Sequence, residues 1–389
     1  MKLNVDFAWY SINHDGEEVC GDHVDAKYDE DRFIGVLADG MGSGVKANVL
    51  STMGSTILST MLIGGEDVES AVDMVVRTLP VCSERGMNYC TFSVVTIDQN
   101  GTAFFTEFDN PQAWIIRNKQ IVLLDRMVHK VEGKRIYESE LPLIPGDVIV
   151  VTSDGAVNAG ANNRFSFSWT WDSVAEWLCD RAHVYQSALR LAVDLVEDVN
   201  GIYEYKPTDD VTAMVIRLPE LENVNIMYGP PEHPEDDEAM VREFIRSDGY
   251  KIICGGTTAK VVSRVLNSPL ETVPETAADG VPPISFLAEA DLVTEGVLTV
   301  TKAADILEQY YSNQQHPDFS DLDASNGAAF LAKQLAEHCT SLRVFVGRAK
   351  NPAYEGKDVP VDLDMKLRAI DRICEMMKKQ GRTVEVRYY

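Results

Sequence analysis

Apolar and polar positions alternate with two periods along the chain, and the switches between them outline its elements. Residues 5–12 form a strand-like start. A polar stretch leads to a second strand-like run, 32–37, and a glycine-rich turn follows. Apolar residues then recur at helical spacing over 45–62 and again over 68–79. Strand-like runs return at 89–98, 102–108, 113–117 and 121–124, with turns at Gln99-Asn100-Gly101 and Arg117-Asn118-Lys119. Asn-Gly is a strong hairpin signal, so these runs predict an antiparallel meander. Pro145-Gly146-Asp147 reads as a turn, and the unbroken apolar run after it as a fully buried strand ending at Ser153-Asp154-Gly155. Helices are expected over 171–179 and 186–199, and a strand over 211–218 closes this half.

Residues 218–225 read as a linker. Beyond it the rhythm becomes strand, turn, helix: strand 224–228, turn Gly229-Pro230-Pro231, helix 236–247, strand 251–254, a Gly255-Gly256-Thr257-Thr258 turn and helix 259–266. Strand 343–347, helix 363–379 and strand 383–388 follow. Alternating strands and helices predict a smaller α/β domain over 224–389, beside a mixed domain over 1–220. The Pro-, Gly-, Asn- and Asp-rich stretches 272–283 and 311–323 read as long loops. No internal repeat is visible.

Composition narrows the function. The 389 residues are 45% hydrophobic and 25% charged, ordinary for globular domains. A formal charge of −26, shared by both halves, argues against nucleic acid as a partner. The seven cysteines include no C-x-x-C pair, which predicts scattered reduced thiols in a cytoplasmic protein, not a zinc site or disulfide framework. The N-terminus turns acidic where a signal peptide would be apolar, and no run nears 18 apolar residues, so no membrane association is expected.

Three acidic positions carry the candidate chemistry. Asp39 is expected just past the strand 33–37, Asp154 just past the strand 148–151, and Asp209-Asp210 just before the strand 211–218. In an antiparallel arrangement the ends of two strands and the start of a third can share one sheet edge. Converging carboxylates repel, so they need cations or shifted pKa values, and hard oxygen ligands select Mg²⁺ or Mn²⁺. Each Asp-Gly pair, Asp39-Gly40 and Asp154-Gly155, is also an ordinary turn taken singly. The DGMGSG run fits neither an EF-hand loop nor, without a βαβ setting, a dinucleotide loop. The seven histidines show no H-x-x-H spacing; His14 and His23 alone lie near the motifs in sequence. Trp169 and Trp171 fit a face packed on core.

In order and spacing, CGDHVDAKYDEDRFIGVLADGMGSGVKANVLS, the meander NYCTFSVVTIDQNGTAFFTEFDNPQAWIIRNKQIVLL, PGDVIVVTSDGAVNAG and TDDVTAMVIRL resemble the SpoIIE-type branch of the PPM (protein-phosphatase-2C-like) phosphatases. The resemblance covers about residues 1–218 and implies an αββα sandwich of two mainly antiparallel sheets flanked by helices. It implies that Asp39 bridges two Mn²⁺ or Mg²⁺ ions, that the Gly40 carbonyl completes one shell, and that Asp154 and Asp209 ligate the other positions, with Asp210 as an adjacent substitute. Asp22 would hold metal-bound water. The implied reaction is attack of metal-bound hydroxide on phosphoserine or phosphothreonine without a phosphoenzyme, in a bacterial signalling protein such as an anti-sigma factor antagonist. Met41 stands where eukaryotic relatives carry a histidine, which removes the simplest general acid, and is usual in this branch. FDNPQAW departs from the family's common glycine near Asn110-Pro111. Arg32 and Lys46 are the basic candidates for a phosphate clamp. In relatives of this type the helices after the first Asp-Gly loop can switch the site; 45–62 and 68–79 are the matching segments.

The second half resembles no family. A helix N-terminus at Gly255, Gly256, Thr257 and Thr258 is a ready anion site, and Arg348 with Lys350 sits on a second strand-end loop. If both loops share an edge they would line a pocket for a small anion; otherwise Gly255-Gly256 is a tight turn and a threonine caps the helix. The expectation is therefore a metal-dependent phosphatase with a regulatory or partner-binding second domain, acting on a phosphorylated protein, with a homodimer open. The rival is an inactive PPM-like scaffold that senses a ligand or grips a phosphoprotein.

Overall fold

The parity of one strand sets the layers. Along Phe33–Gly40, Phe33 and Leu37 turn to one side and Ile34, Val36 and Ala38 to the other, and all five are fully buried. A strand buried on both faces is an inner layer with cover above and below. The computed structural model describes residues 4–29, 32–79, 90–131, 133–160, 168–312, 315–349 and 363–389, with the backbone alone for 363–366. The chain forms two compact units, Met1–Pro219 and Glu220–Tyr389. Each is taken by itself.

The first unit runs β1 (Asp6–Ile12), β2 (Asp22–Tyr28), β3 (Phe33–Gly40), α1 (Gly44–Ile63), α2 (Val68–Thr78), β4 (Cys90–Ile97), β5 (Thr102–Phe108), β6 (Trp114–Arg117), β7 (Gln120–Ile121), β8 (Met127–Val131), β9 (Lys134–Pro142), β10 (Val148–Thr152), α3 (Asp154–Val157), α4 (Trp171–Arg181), α5 (Ala188–Ile202) and β11 (Val211–Arg217). One antiparallel sheet has the order β2-β3-β4-β5-β9-β8, the other β1-β11-β10-β6-β7. Phe33, Leu37, Val95 and Phe105 of the first meet Ile115, Ile149, Val151 and Met214 of the second in one apolar layer. The opposite face of the first, through Ile34, Val36, Phe92 and Val94, packs under Leu50 and Leu58 of α1 and Val72 and Val75 of α2. α5 covers β1 and β11. The layers are helix, sheet, sheet, helix, the αββα sandwich.

Several expectations change in detail. Asp39 lies within β3, not past its end, because the ladder to β2 and β4 continues through Asp39. The polar stretch before β3 is itself a strand, β2. Its sequence DHVDAKY hides the alternation because its outward polar residues have polar partners on α1: His23 bonds Ser55 (2.8 Å) and the Ser59 hydroxyl donates to Asp25 (2.5 Å). β8 and β9 were not anticipated either. Tyr89 lies outside the described residues.

The second unit runs β12 (Asn223–Tyr228), α6 (Asp237–Arg246), β13 (Tyr250–Cys254), α7 (Gly256–Leu266), β14 (Glu271–Val273), β15 (Ile284–Phe286), β16 (Leu292–Thr294), α8 (Val297–Ser312), α9 (Gly327–Lys333), β17 (Ser341–Val346), α10 (Leu363–Lys379) and β18 (Thr383–Tyr388). Its sheet has the order β14-β15-β16-β13-β12-β17-β18, parallel from β16 to β18. Met227, Ile253 and Phe345 face α6 and α7, while Val224, Ile226, Val344 and Val346 face α8 and α10, so the sheet is doubly wound. The stretch expected as a loop over 272–283 contains β14 residues and a short 3₁₀ turn, and 311–323 begins inside α8. α7 starts at Gly256, three residues before its expected start.

Candidate metal centre between the two sheets

Asp39 shares its parity with Phe33 and Leu37, so it faces the space between the sheets. The ladder sets Asp22 directly across from it on one side and Thr91 on the other. Asp154 opens α3 immediately after β10, and Asp209-Asp210 lead into β11, the neighbour of β10. The first sheet therefore supplies Asp22 and Asp39, and the second supplies Asp154, Asp209 and Asp210.

Glycine makes this approach possible. A methyl at Gly155 would stand 2.2 Å from the Asp210 carbonyl oxygen. A methyl at Gly40 would stand 2.1 Å from the Ala47 carbonyl oxygen, because α1 crosses directly over the strand end. Both glycines are thus packing requirements. The Tyr203 hydroxyl, at the end of α5, donates to the Gly155 carbonyl (2.8 Å) and pins the turn that carries Asp154. Gly155→Ala is expected to destabilise the fold by about 2–3 kcal/mol, as overpacking against rigid backbone does. Urea denaturation checks it, and an unchanged midpoint would show that the contact is not tight.

The electrostatics are those of crowded acids. Burial, followed by the charges of Asp22, Asp154, Asp209 and Asp210, holds the Asp39 carboxyl far above the usual carboxylate range. Asp22 is raised chiefly by burial, with Asp210 and Asp209 adding to the rise. The Ser153 and Thr212 hydroxyls temper it; Ser153 Oγ also accepts from the Thr212 N–H (2.9 Å), and Thr212 Oγ1 bonds Ser11 (2.6 Å). Both Asp22 oxygens are buried without a hydrogen bond. Burial and then Asp154 push Asp209 up to about 6. Burial also raises Asp154, although Asp209 and the Gly155 N–H pull it back. Asp210 is fixed differently: it accepts from the His14 main-chain N–H (3.0 Å), and its own N–H donates to Asp209 (3.0 Å). Asp209 faces Asp154, and Asp210 turns toward His14 and Gly21.

Orphaned buried carboxylate oxygens among mutually repelling acids fit hard divalent cations, which supply the missing positive charge. The acids converge without closing into a finished cage: among the described residues, no group of three or more His, Cys, Asp or Glu side chains is arranged to hold one ion.

One basic candidate lies far from the acids. Arg32 precedes β3 at the end opposite Asp39, roughly 23 Å away at about 3.3 Å per residue. Its guanidinium bonds Asp29 and the Leu62 and Ile63 carbonyls. Lys46 is exposed on the first turn of α1. Residues assigned no site role from the sequence do border the acids. His14 is one. Asn110 is another: Thr91 Oγ1 donates to its Oδ1 (3.3 Å) and its Nδ2 donates to Ser93 (3.1 Å), so it fixes the hydroxyl beside Asp39. The sequence signal was the FDNPQAW departure. Asp109 adopts φ +50°, the left-handed conformation that glycine favours and Asp tolerates, so the loop keeps its turn without glycine. Asn110→Ala is expected to slow turnover about tenfold with metal affinity unchanged, by freeing the Thr91 hydroxyl. Steady-state kinetics and calorimetry read the two effects separately.

In the second unit the register places Cys254, Tyr228 and Val346 side by side, so the loops after β13 and β17 share an edge. β12 separates them, and Arg348 stacks over the Tyr388 ring on the far side (4.4 Å). Thr258 is buried, donating to the Cys254 carbonyl (3.1 Å) and accepting from the Gly229 N–H (2.9 Å). Gly255, at φ +113°, is the N-cap of α7. The Glu295 carboxylate lies beside Gly256, where it disfavours an anion, and Thr257 is exposed. Lys350 lies outside the described residues.

Residues 29–219 match the profile of the SpoIIE family, stage II sporulation protein E. This region belongs to the SpoIIE family. Within the SpoIIE-type unit, 64 residues are 36% identical to the phosphoserine phosphatase RsbX of Bacillus subtilis (strain 168), a match spanning 16% of this chain and 31% of that protein. Among solved structures, the PP2C phosphatase domain of SpoIIE from Bacillus subtilis, with a fragment of its regulatory domain, is 20% identical, covering 56% of this chain and 64% of that one at a TM-score of 0.47. RsbX in complex with magnesium is 19% identical, covering 55% of this chain and 95% of that one at a TM-score of 0.39. The SpoIIE-type branch of the PPM phosphatases anticipated from the motifs is thus the family of the first unit. No helix among the described residues is long and apolar enough to cross a membrane.

Proposed function

We propose that the SpoIIE-type unit is a Mn²⁺- or Mg²⁺-dependent protein serine/threonine phosphatase. The observation that carries this reading is the set of five acids, Asp22, Asp39, Asp154, Asp209 and Asp210, gathered between the sheets with both Asp22 oxygens orphaned. Asp39, Asp154 and Asp209 would hold two ions with the Gly40 carbonyl, and Asp22 and Asp210 would border them. Bound there, the ions would supply charge for a phosphoryl group and activate a water. The chain's own part is to orient and to exclude: α1 closes over Gly40, Tyr203 fixes the Asp154 turn, and Asn110 sets Thr91 beside Asp39. Met41 offers no proton to the leaving group, so water supplies it. RsbX, named a phosphoserine phosphatase, supports phosphoserine as the substrate, carried on a bacterial signalling protein such as an anti-sigma factor antagonist. To the second unit we assign a regulatory or partner-binding role, in a cytoplasmic protein.

The test is release of phosphate from a phosphoserine peptide by the full chain, with Mn²⁺ and with EDTA. Release with Mn²⁺ alone is expected. No release from a range of phosphoproteins would favour the inactive-scaffold reading, and equal release in both conditions would overturn the metal dependence.

A further inference from the structure

α1 and α2 shelter the β3 and β4 side of the six-stranded sheet, but its outer face continues past them. Two cross-strand rows run out from under the helices. One is Ile34, Thr96, Phe104 and Glu140; the other is Val36, Val94, Thr106, Glu138 and Met127. Each is apolar where the helices lie and acidic on β9. Between these rows, the last turn of α1 and the start of α2 lies a cavity of about 460 Å³. Small-molecule sites span ~300–1,000 Å³ and combine apolar walls with a few polar groups.

Its floor includes the buried Ile34 and Leu62, and its walls include Phe104 and Met127, 40% and 61% exposed. Large apolar side chains that open are surface awaiting cover. Among the described residues, four acids, Glu66, Asp67, Glu138 and Glu140, line the cavity against one cation, Arg32. Arg32 is already committed to Asp29 (3.1 Å) and to two carbonyls ending α1. Asp67 caps α2 through the Ser70 N–H (2.7 Å), and Glu138 pairs with His129 (3.0 Å). Glu66 and Glu140 have no hydrogen-bonding or ionic side-chain partner among the described residues. The mouth therefore holds two uncompensated negative charges over an apolar floor. An anion is repelled there, and a neutral apolar body leaves the carboxylates unanswered.

We propose that this cavity binds a small organic cation, an ammonium or guanidinium group on an apolar body. The body lies against Phe104 and Met127, and the charge sits between Glu66 and Glu140. Because both carboxylates are on exposed residues, affinity falls as salt rises. The site is separate from the metal centre: Ile34 and Asp39 are roughly 17 Å apart along β3 at about 3.3 Å per residue.

The probe is phenethylamine, titrated into the full chain at low salt by calorimetry, with phenylacetate and 2-phenylethanol as acidic and neutral isosteres. Fragments of this size bind at about 1 mM or tighter when they fit. The amine is expected to bind at least about tenfold better than either isostere. Glu66→Gln with Glu140→Gln should remove that preference while leaving the thermal midpoint unchanged, and Asp39→Asn should leave amine binding intact. No amine binding at about 10 mM, equal binding of the three probes, or a double variant that binds as wild type overturns the proposal. So does clearly tighter binding of Nα-acetyl-lysine methylamide, which would make a polypeptide lysine the occupant.

Discussion

Asp39→Asn is expected to abolish phosphate release from a phosphoserine peptide, by about a thousandfold or more, while making the metal-free protein more stable. The two effects come from one cause. Asp39 lies between Asp22 and Thr91 in the ladder and feels the charge of every other acid of the cluster. Asp39 must take up a proton to sit in that buried space and Asn need not, so the metal-free melting temperature should rise at pH 8. The same change removes the central cation ligand. Wild type should gain about 2.7 kcal/mol of stability at Mn²⁺ a hundredfold above Kd, and the variant should gain almost none. A role limited to packing predicts the opposite: lower metal-free stability and a preserved response to Mn²⁺. Differential scanning fluorimetry with and without Mn²⁺ separates the two.

The second large effect is on pH. Asp209 is raised from 3.8 to about 6, and Asp22 and Asp39 are raised further, in each case with burial as the leading cause. Above the ordinary value near 3.8 the unfolded chain gives up these protons while the folded protein keeps them. Where the folded state binds more protons, stability falls as pH rises, by about 1.4 kcal/mol per pH unit for each proton retained. Metal-free protein should therefore lose stability from about pH 4 upward, through the titration of Asp209 near pH 6 and on through the higher titrations of Asp22 and Asp39. The loss stops once the last of them ionises. Saturating Mn²⁺ should abolish most of this slope, because the cations favour the ionised acids. Urea denaturation between pH 5 and pH 9 with EDTA or Mn²⁺ measures it. A metal-free stability that rises over this range would mean that the acids are not crowded.

How much of this was legible in the sequence follows from the physics of each element. β10 announces itself because five successive residues are buried on both faces, which leaves an unbroken apolar run. β2 does not, since its outward residues bond to α1 and polar partners erase the alternation. Asp39 and Asp154 could be selected because acid-glycine pairs at strand ends are local patterns, and Asp209 because an acid pair leads into a strand. The glycines proved necessary for a less visible reason, the approach of Ala47 and Asp210. Thr91 could not be selected, and Asn110 and His14 could be noted but given no role, because their places beside the acids depend on strand register and on chain segments distant in sequence. Arg32 was misplaced for the converse reason: closeness in sequence to Asp39 is distance along an extended strand. In the second unit the doubly wound rhythm was readable, but the direction of Arg348 was set by Tyr388, an aromatic on a strand more than thirty residues later.

The central claim is that the acids between the sheets are a cation site. Isothermal titration of Mn²⁺ into metal-free full-length protein tests it most directly. The account predicts saturable binding of two ions per chain, accompanied by proton release, and loss of that binding in Asp39→Asn. Absence of saturable binding, or isotherms identical in wild type and Asp39→Asn, would contradict it.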